Sequence, residues 1–242
     1  ELLLVAENDD QWGNTKVMLP NPKYVRSMID KLKMIKVLEA QGIPVPKTDS
    51  LDNDISQFDF PYIVKPRKGR GSRGVFSIAN KFELNSFRDK IGKKANTYVI
   101  QKKYFGTEYT VQMIANTKGD LLCVVPVKIF SKKGITISAE VDDNVLVAQA
   151  CKLIHKKVPC RGTYNIQLIL TEDGEIFPFE INPRISTTFC LVAAAGVDPI
   201  DIFLNGKLEK SPYLFNNGTT LNRHWHNYFF VNAKKQELLS TD

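Results

Sequence analysis

The segment from Asn165-Ile166-Gln167 through Asp173-Gly174 to Glu180-Ile181-Asn182-Pro183-Arg184 constrains this chain most. Polar and apolar residues alternate on both arms, and Asp-Gly is a favoured turn pair, so the stretch predicts a β-hairpin. A two-residue turn at Asp173-Gly174 puts Gln167 opposite Glu180 and Asn165 opposite Asn182. Directly opposed side chains have Cβ atoms about 4.5 to 5.5 Å apart. Gln167, Glu180 and Asn182 then share one face, while Ile166, Leu168 and Leu170 meet Ile181, Phe179 and Phe177 on the other, a core face. An all-oxygen set with a single carboxylate is too weak for a closed metal cage. It suits Mg²⁺ (or Mn²⁺), which completes its shell with waters and phosphate oxygens. A surface hairpin with its polar residues in solvent is the plain alternative.

A second segment, Lys65-Pro66-Arg67-Lys68-Gly69-Arg70-Gly71-Ser72-Arg73-Gly74, lies a hundred residues upstream. Pro61-Tyr62-Ile63-Val64-Lys65 is a short apolar strand that delivers a lysine, and the glycines after it let backbone N–H groups curl around an anion. Lys65 then sits as a point charge on phosphate oxygens. The spacing is neither a Walker loop nor GxGxxG. A basic, mobile surface turn is the alternative here.

Taken in order, Lys65-Pro66-x-x-Gly69-x-Gly71-Ser72-x-Gly74-Val75, then Gln101-x-x-Tyr104-x-Gly106-x-Glu108, then Gln167 with Glu180-x-Asn182-Pro183-Arg184 resembles the ATP-grasp superfamily, and most nearly its carbamoyl-phosphate-synthetase-like carboxylate-amine ligases. The resemblance runs from about Asp30 to about Phe203. It implies an α+β fold in which two subdomains clamp ATP between antiparallel sheets. It divides the chain into a remnant of a Rossmann-like preceding domain (1–21), linker helices (22–46), a lid (47–101) and a core (102–242), and so implies a fragment of a longer protein.

The same resemblance assigns Lys65, Gly71, Ser72, Arg73 and Gly74 to the phosphates, Gln101, Lys102 and Tyr104 to the adenine edge and Glu108 to the ribose, with Phe179 also in the nucleotide pocket. Adenine is read by the Lys102 carbonyl and Tyr104 N–H. Many relatives carry an acid where this chain has Gln101, although an amide still accepts a hydrogen bond. Gln167, Glu180 and Asn182 hold the metal, and Arg184 joins Lys65 on the transferred phosphoryl group. The implied reaction is ATP-dependent conversion of a carboxylate to an acylphosphate, attacked by an amine or similar nucleophile. Small-molecule carboxylate and amine substrates follow, and a homodimer is admitted. Gln112 replaces a functional acid of carbamoyl phosphate synthetases, which argues against carbamoyl phosphate as product and leaves a regulatory nucleotide-binding module as the alternative.

Composition narrows the classes. The chain has 242 residues, 43% apolar, with no apolar run near the roughly 20 residues of a membrane span and no signal peptide. Cys123, Cys151, Cys160 and Cys190 lack CxxC spacing and are expected as reduced core residues of a cytoplasmic protein. A net charge of +7 raises nucleic acid as an alternative, but the cations are dispersed and no aromatic residues interleave with them in a stacking motif, so no nucleic-acid partner is expected. His224 and His226 would share a strand face, without a third zinc ligand nearby.

Periodicity predicts one helical stretch from Pro22 to Gln41 ended by Gly42, a helix over 81–91, and one from about Asp143 to Lys157. It predicts strands over 75–78, 97–101 and 121–127, and one in which Tyr109, Val111 and Met113 alternate with Thr110, Gln112 and Ile114. A helix from Ser186 to Ala195 offers first-turn N–H groups to an anion, and Lys128, Lys132 and Lys133 are read as solvated strand-end lysines, with reach to a substrate or the γ-phosphate as the alternative.

Overall fold

A computed structural model describes residues 1–54, 59–69, 71–207 and 214–225, and all structural statements concern these. Arg70 and His226 lie outside them. Two antiparallel sheets face one another across a cleft. The smaller joins β1 (Thr48–Ser50), β2 (Tyr62–Pro66), β3 (Phe76–Ile78) and β4 (Tyr98–Lys102) in the order β1-β4-β2-β3. The larger joins β5 (Thr107–Ala115), β6 (Leu121–Lys133), β7 (Ile135–Val141), β8 (Gly162–Leu170), β9 (Ile176–Asn182) and β10 (Thr220–Asn222) in the order β10-β7-β6-β5-β8-β9.

Alternation along the strands decides what each face does. On β2, Tyr62 and Val64 pack with Leu51, Ile78, Ile100 and Leu84 of helix α4 (Lys81–Ile91), which leaves Ile63 and Lys65 for the cleft. On β5, Tyr109, Val111 and Met113 join Ile166, Leu168 and Ile181 in the main core, beneath α2 (Pro22–Met28), α3 (Lys31–Ala40) and α5 (Val145–Lys157), with α1 (Leu2–Glu7) preceding them in the chain. The other face of the large sheet packs Val125, Val127, Ala139 and Val141 on α6 (Phe189–Ala194) and α7 (Pro199–Asn205), and where those helices stop it opens into the cleft. Each buried Leu, Ile or Val contributes about 1.5–3 kcal/mol of transfer free energy.

Several expectations need correcting. The 22–41 stretch is two helices, α2 and α3, broken at Ile29-Asp30. Asp30 is extended there because its carboxylate caps the N–H groups of Leu32 and Lys33, a contribution of about 1 kcal/mol. Arg67, where β2 leads into the glycine loop, holds that carboxylate in a fork, Nε to Oδ1 at 3.2 Å and Nη2 to Oδ2 at 2.9 Å, and the Lys31 N–H donates to Arg67 O at 2.9 Å. Burial pushes the Asp30 carboxyl up, yet the Arg67 guanidinium and the two helix amides outweigh it and hold it below the usual carboxylate range. β6 continues past Val127 to Lys133 and turns at Gly134 into β7, a strand that the sequence reading did not contain. The helix after the hairpin starts at Phe189, since Ser186 and Thr188 spend their hydroxyls and the Thr188 N–H on one another. Cys123, Cys151 and Cys160 are buried, but Cys190 is exposed on α6 beside Arg223. His224 lies beyond β10 in no strand.

Gly106, between β4 and β5, has φ +152°, and a Cβ there would lie 2.2 Å from Leu170 O. Gly106→Ala is therefore expected to destabilise the protein by roughly 2–4 kcal/mol. Urea denaturation measures this, and a change below about 0.5 kcal/mol would contradict the backbone contact.

Candidate active site

The site is built on the β8–β9 hairpin. Asn165 pairs with Asn182, Ile166 with Ile181 and Gln167 with Glu180, as the sequence predicts. Below that level the register slips: Leu168 meets Pro178, Ile169 meets Phe177 and Leu170 meets Ile176. The turn holds three residues, Glu172-Asp173-Gly174, with Gly174 at φ +83° and Thr171 N–H donating to Glu175 O at 2.9 Å. A β-bulge at Phe179 absorbs the extra residue. Alternation inverts across it, so Phe177 and Phe179 line the cleft beside Glu180 and Asn182 instead of facing the core. Pro178, inside the strand, is tolerated because β9 is the sheet's edge.

The oxygen-bearing face is organised by Asn165, fully buried beneath it. Asn182 Nδ2 donates to Asn165 Oδ1 at 3.3 Å, and Asn165 Nδ2 donates to Arg184 O at 3.0 Å. With its nitrogen occupied, Asn182 keeps its carbonyl oxygen for the cleft. Gln167, Glu180 and Asn182 thus supply two amide oxygens and one carboxylate on one face, hard donors suited to Mg²⁺. Among the described residues no cluster of three or more His, Cys, Asp or Glu could hold a metal ion.

Across the cleft stands Lys65, 5% exposed. Its Nζ donates to Gln101 Oε1 at 2.9 Å and to Phe179 O at 3.3 Å, and lies 5.1 Å from the Phe179 ring centroid. Burial pulls Lys65 from its ordinary 10.5 down to about 8; Lys31 adds to the drop, while Glu180 and Glu108 oppose it. Lys31, 7% exposed at the first position of α3, sits 3.6 Å from Glu180 Oε2. The sequence reading gave Lys31 no role. The signal available was its place directly after the capping Asp30, which fixes a first-turn side chain.

The remaining predicted residues gather around the same cleft, about 630 Å³ in volume. Gly71, Ser72 and Gly74 have φ of +66°, +55° and +71°, and a Cβ at Gly71 would lie 3.6 Å from Gly134 O of the β6–β7 turn, so the loop tip approaches the large sheet. Arg73 lines the cleft too. Lys102 and Tyr104 form its hinge end, where Tyr104 stacks on Phe177 with centroids 3.8 Å apart at 22°. Glu108 lines the wall in an ion pair with Lys132, a partner missed because β6 runs on further than predicted. Arg184 also lines it, with Nη1 donating to Ile185 O at 2.7 Å. Lys128 stays over Phe130, outside the cleft lining. Gln112 is buried, donating to Tyr164 O at 2.8 Å, and does not line the cleft. His155 is a core residue between Tyr164 and Gly119 O.

Arranged this way, Lys31, Lys65 and Arg184 line one cleft together with Gln167, Glu180 and Asn182. Residues 28–188 match the model of the ATP-grasp domain family. The chain is 26% identical over 206 residues to the carbamoyl phosphate synthase large chain of Clostridium beijerinckii, covering 76% of this chain and 19% of that protein. It is 25% identical over 171 residues to a D-alanine–D-alanine ligase of the same organism, covering 64% of this chain and 57% of that protein. It therefore spans less than two thirds of the length of either relative. Among solved structures, carboxyaminoimidazole ribonucleotide synthase from Aspergillus clavatus complexed with ATP superimposes with a TM-score of 0.68 at 16% identity, over 88% of this chain and 59% of that one. No helix among the described residues is long and apolar enough to cross a membrane.

Below pH 8 Lys65 carries its charge in both folded and unfolded chains, and burying that charge opposes folding; between pH 8 and 10.5 the folded state sheds the proton first, and the cost fades. Lys65→Met should therefore raise unfolding free energy at pH 7 by up to on the order of 3 kcal/mol, with the gain vanishing above about pH 10.5. Urea titrations across that range test it, and a pH-independent gain would contradict it.

Proposed function

Since the chain belongs to the ATP-grasp family, we propose that it is an ATP-dependent ligase that activates a substrate carboxylate as an acylphosphate for attack by an amine or similar nucleophile. The observation that carries this reading is the convergence of Lys65, Lys31 and Arg184 with the Gln167-Glu180-Asn182 oxygens on one cleft. Phosphoryl transfer requires neutralised charge and in-line positioning and no protein nucleophile, and these residue types meet that need.

In this reading Lys65 and the glycine loop, Gly71 to Gly74, bind the phosphates. The Lys102 carbonyl, the Tyr104 N–H and the ring wall of Tyr104, Phe177 and Phe179 orient the adenine, and Glu108 holds the ribose. Arg184 neutralises the charge on the transferred phosphoryl group and the carboxylate it meets. Gln167, Glu180 and Asn182 would hold Mg²⁺ (or Mn²⁺), which supplies positive charge to the phosphate oxygens when bound. The glycine loop, whose tip approaches Gly134, shields the acylphosphate from water. Small carboxylates and amines are the substrates. Four free cysteines and the demand for ATP fit the cytoplasm.

Two outcomes are expected in the full-length protein. Glu180→Gln abolishes ADP release, assayed against a panel of amino acids and small carboxylates, with the native fold retained by circular dichroism; release at the parental rate would refute the metal assignment. Because the donor set carries one carboxylate, Mg²⁺ titrated without nucleotide binds weakly and tightens when ATP is present. Calorimetry reads both states, and equal affinities would contradict the nucleotide-completed site.

A further inference from the structure

Gln101 occupies the hinge position from which a side chain would read the adenine amine, yet both ends of its amide are engaged by the protein. Its Nε2 donates to Thr48 Oγ1 at 2.8 Å, and its Oε1 accepts from Lys65 Nζ at 2.9 Å. Thr48 makes this polarity one-way. A hydroxyl has a single proton, and Thr48 Oγ1 gives it to Pro46 O at 2.6 Å, so it can only accept from Gln101. The reversed amide would set two N–H groups against the ammonium. The strand register supports the chain of contacts. Thr48 and Ile63 both pair with Gln101, and Lys65 is two residues along β2 from Ile63 on the same cleft-facing side. Gln101 is 2% exposed, so the bond is shielded from competing water.

We propose that Gln101 is a positioning residue for the phosphate-binding lysine rather than a reader of the nucleobase: the relay Pro46–Thr48–Gln101 aims Lys65 across the cleft. This rests on the ATP reading of the cleft and deepens it. The neutral amide matters chemically. A carboxylate here would fix Lys65 equally well but neutralise part of the charge offered to phosphate, whereas the amide directs the ammonium and leaves its charge for the ligand. Removal of the acceptor lets the lysine swing toward its other partners, Phe179 O and Glu180.

The test is binding of MgATP and of adenosine, which has no phosphates, by the full-length protein and its variants. Gln101→Leu is expected to weaken ATP about tenfold, the loss of one charge-assisted hydrogen bond, and to leave adenosine within about twofold. Gln101→Glu, which restores an acceptor, should return ATP to within about threefold of the parent, and Thr48→Val should weaken ATP about threefold by freeing the amide to turn. In a Lys65→Met background neither Gln101→Leu nor Thr48→Val should cost anything further. Equal losses for ATP and adenosine, additivity with Lys65→Met, or no loss at all would overturn the assignment. If Gln101→Leu does not fold, Thr48→Val in the two backgrounds decides in the same way. A parent protein that binds adenosine but not ATP would overturn this inference at its premise, and one that binds neither would overturn the ATP reading itself.

Discussion

The bulge at Phe179 is the constraint on which the cleft depends. A regular β9 would set Phe177 and Phe179 on the face opposite Glu180 and Asn182, because side chains alternate strictly along a strand. One extra residue lets aromatic rings and metal-type oxygens share a face, as a site for a nucleotide with a charged tail requires. The same bulge leaves the Phe179 carbonyl to accept from Lys65, and so links the large sheet to the small one. Edge position is what makes this permissible, since β9 has a single neighbour and carries Pro178 without a broken ladder.

Electrostatically the cleft is built for an anion. Lys31, Lys65, Arg73, Lys132 and Arg184 line it against Glu108 and Glu180, the carboxylates among the described lining residues, and each acid already has a lysine partner. Two nearly buried ammonium groups, Lys31 and Lys65, flank Glu180, and the depressed protonation of Lys65 reports the cost of holding it there. In the proposed reading, a polyphosphate would supply the missing negative charge. Asp30 and Arg67 tie this arrangement to the backbone, joining the start of α3, which carries Lys31, to the end of β2, which carries Lys65.

Much of this was legible before any coordinates. Alternation on both hairpin arms places Gln167 against Glu180, and that pairing survives because a three-residue turn and a one-residue bulge offset each other. The strand bearing Lys65, the helix over Lys81–Ile91 and the helix ending at Lys157 follow from patterns a few residues long. The break at Asp30 was missed because an apolar stripe continues through it, although an Asp capping Leu32 and Lys33 is a local start signal that the fork from Arg67, 37 positions away, reinforces. β7 was missed because Ile135–Val141 mixes small and polar residues, and its place depends on β6 and β10 on either side.

By itself the sequence determined the inventory and its order: a lysine strand, a glycine turn, a hinge, and a hairpin with amide and carboxylate oxygens on one face. Those features arise from local sterics and from period-two alternation, which act over a handful of residues. Tertiary structure alone decided that Phe177 and Phe179 turn inward, that Lys31 joins Glu180, and that Gln101 grips Lys65 rather than standing free. The Lys31 and Gln101 contacts join groups 36 or more positions apart, by packing that no local pattern encodes, and the inward rings depend on a turn length and a bulge that alternation alone does not specify.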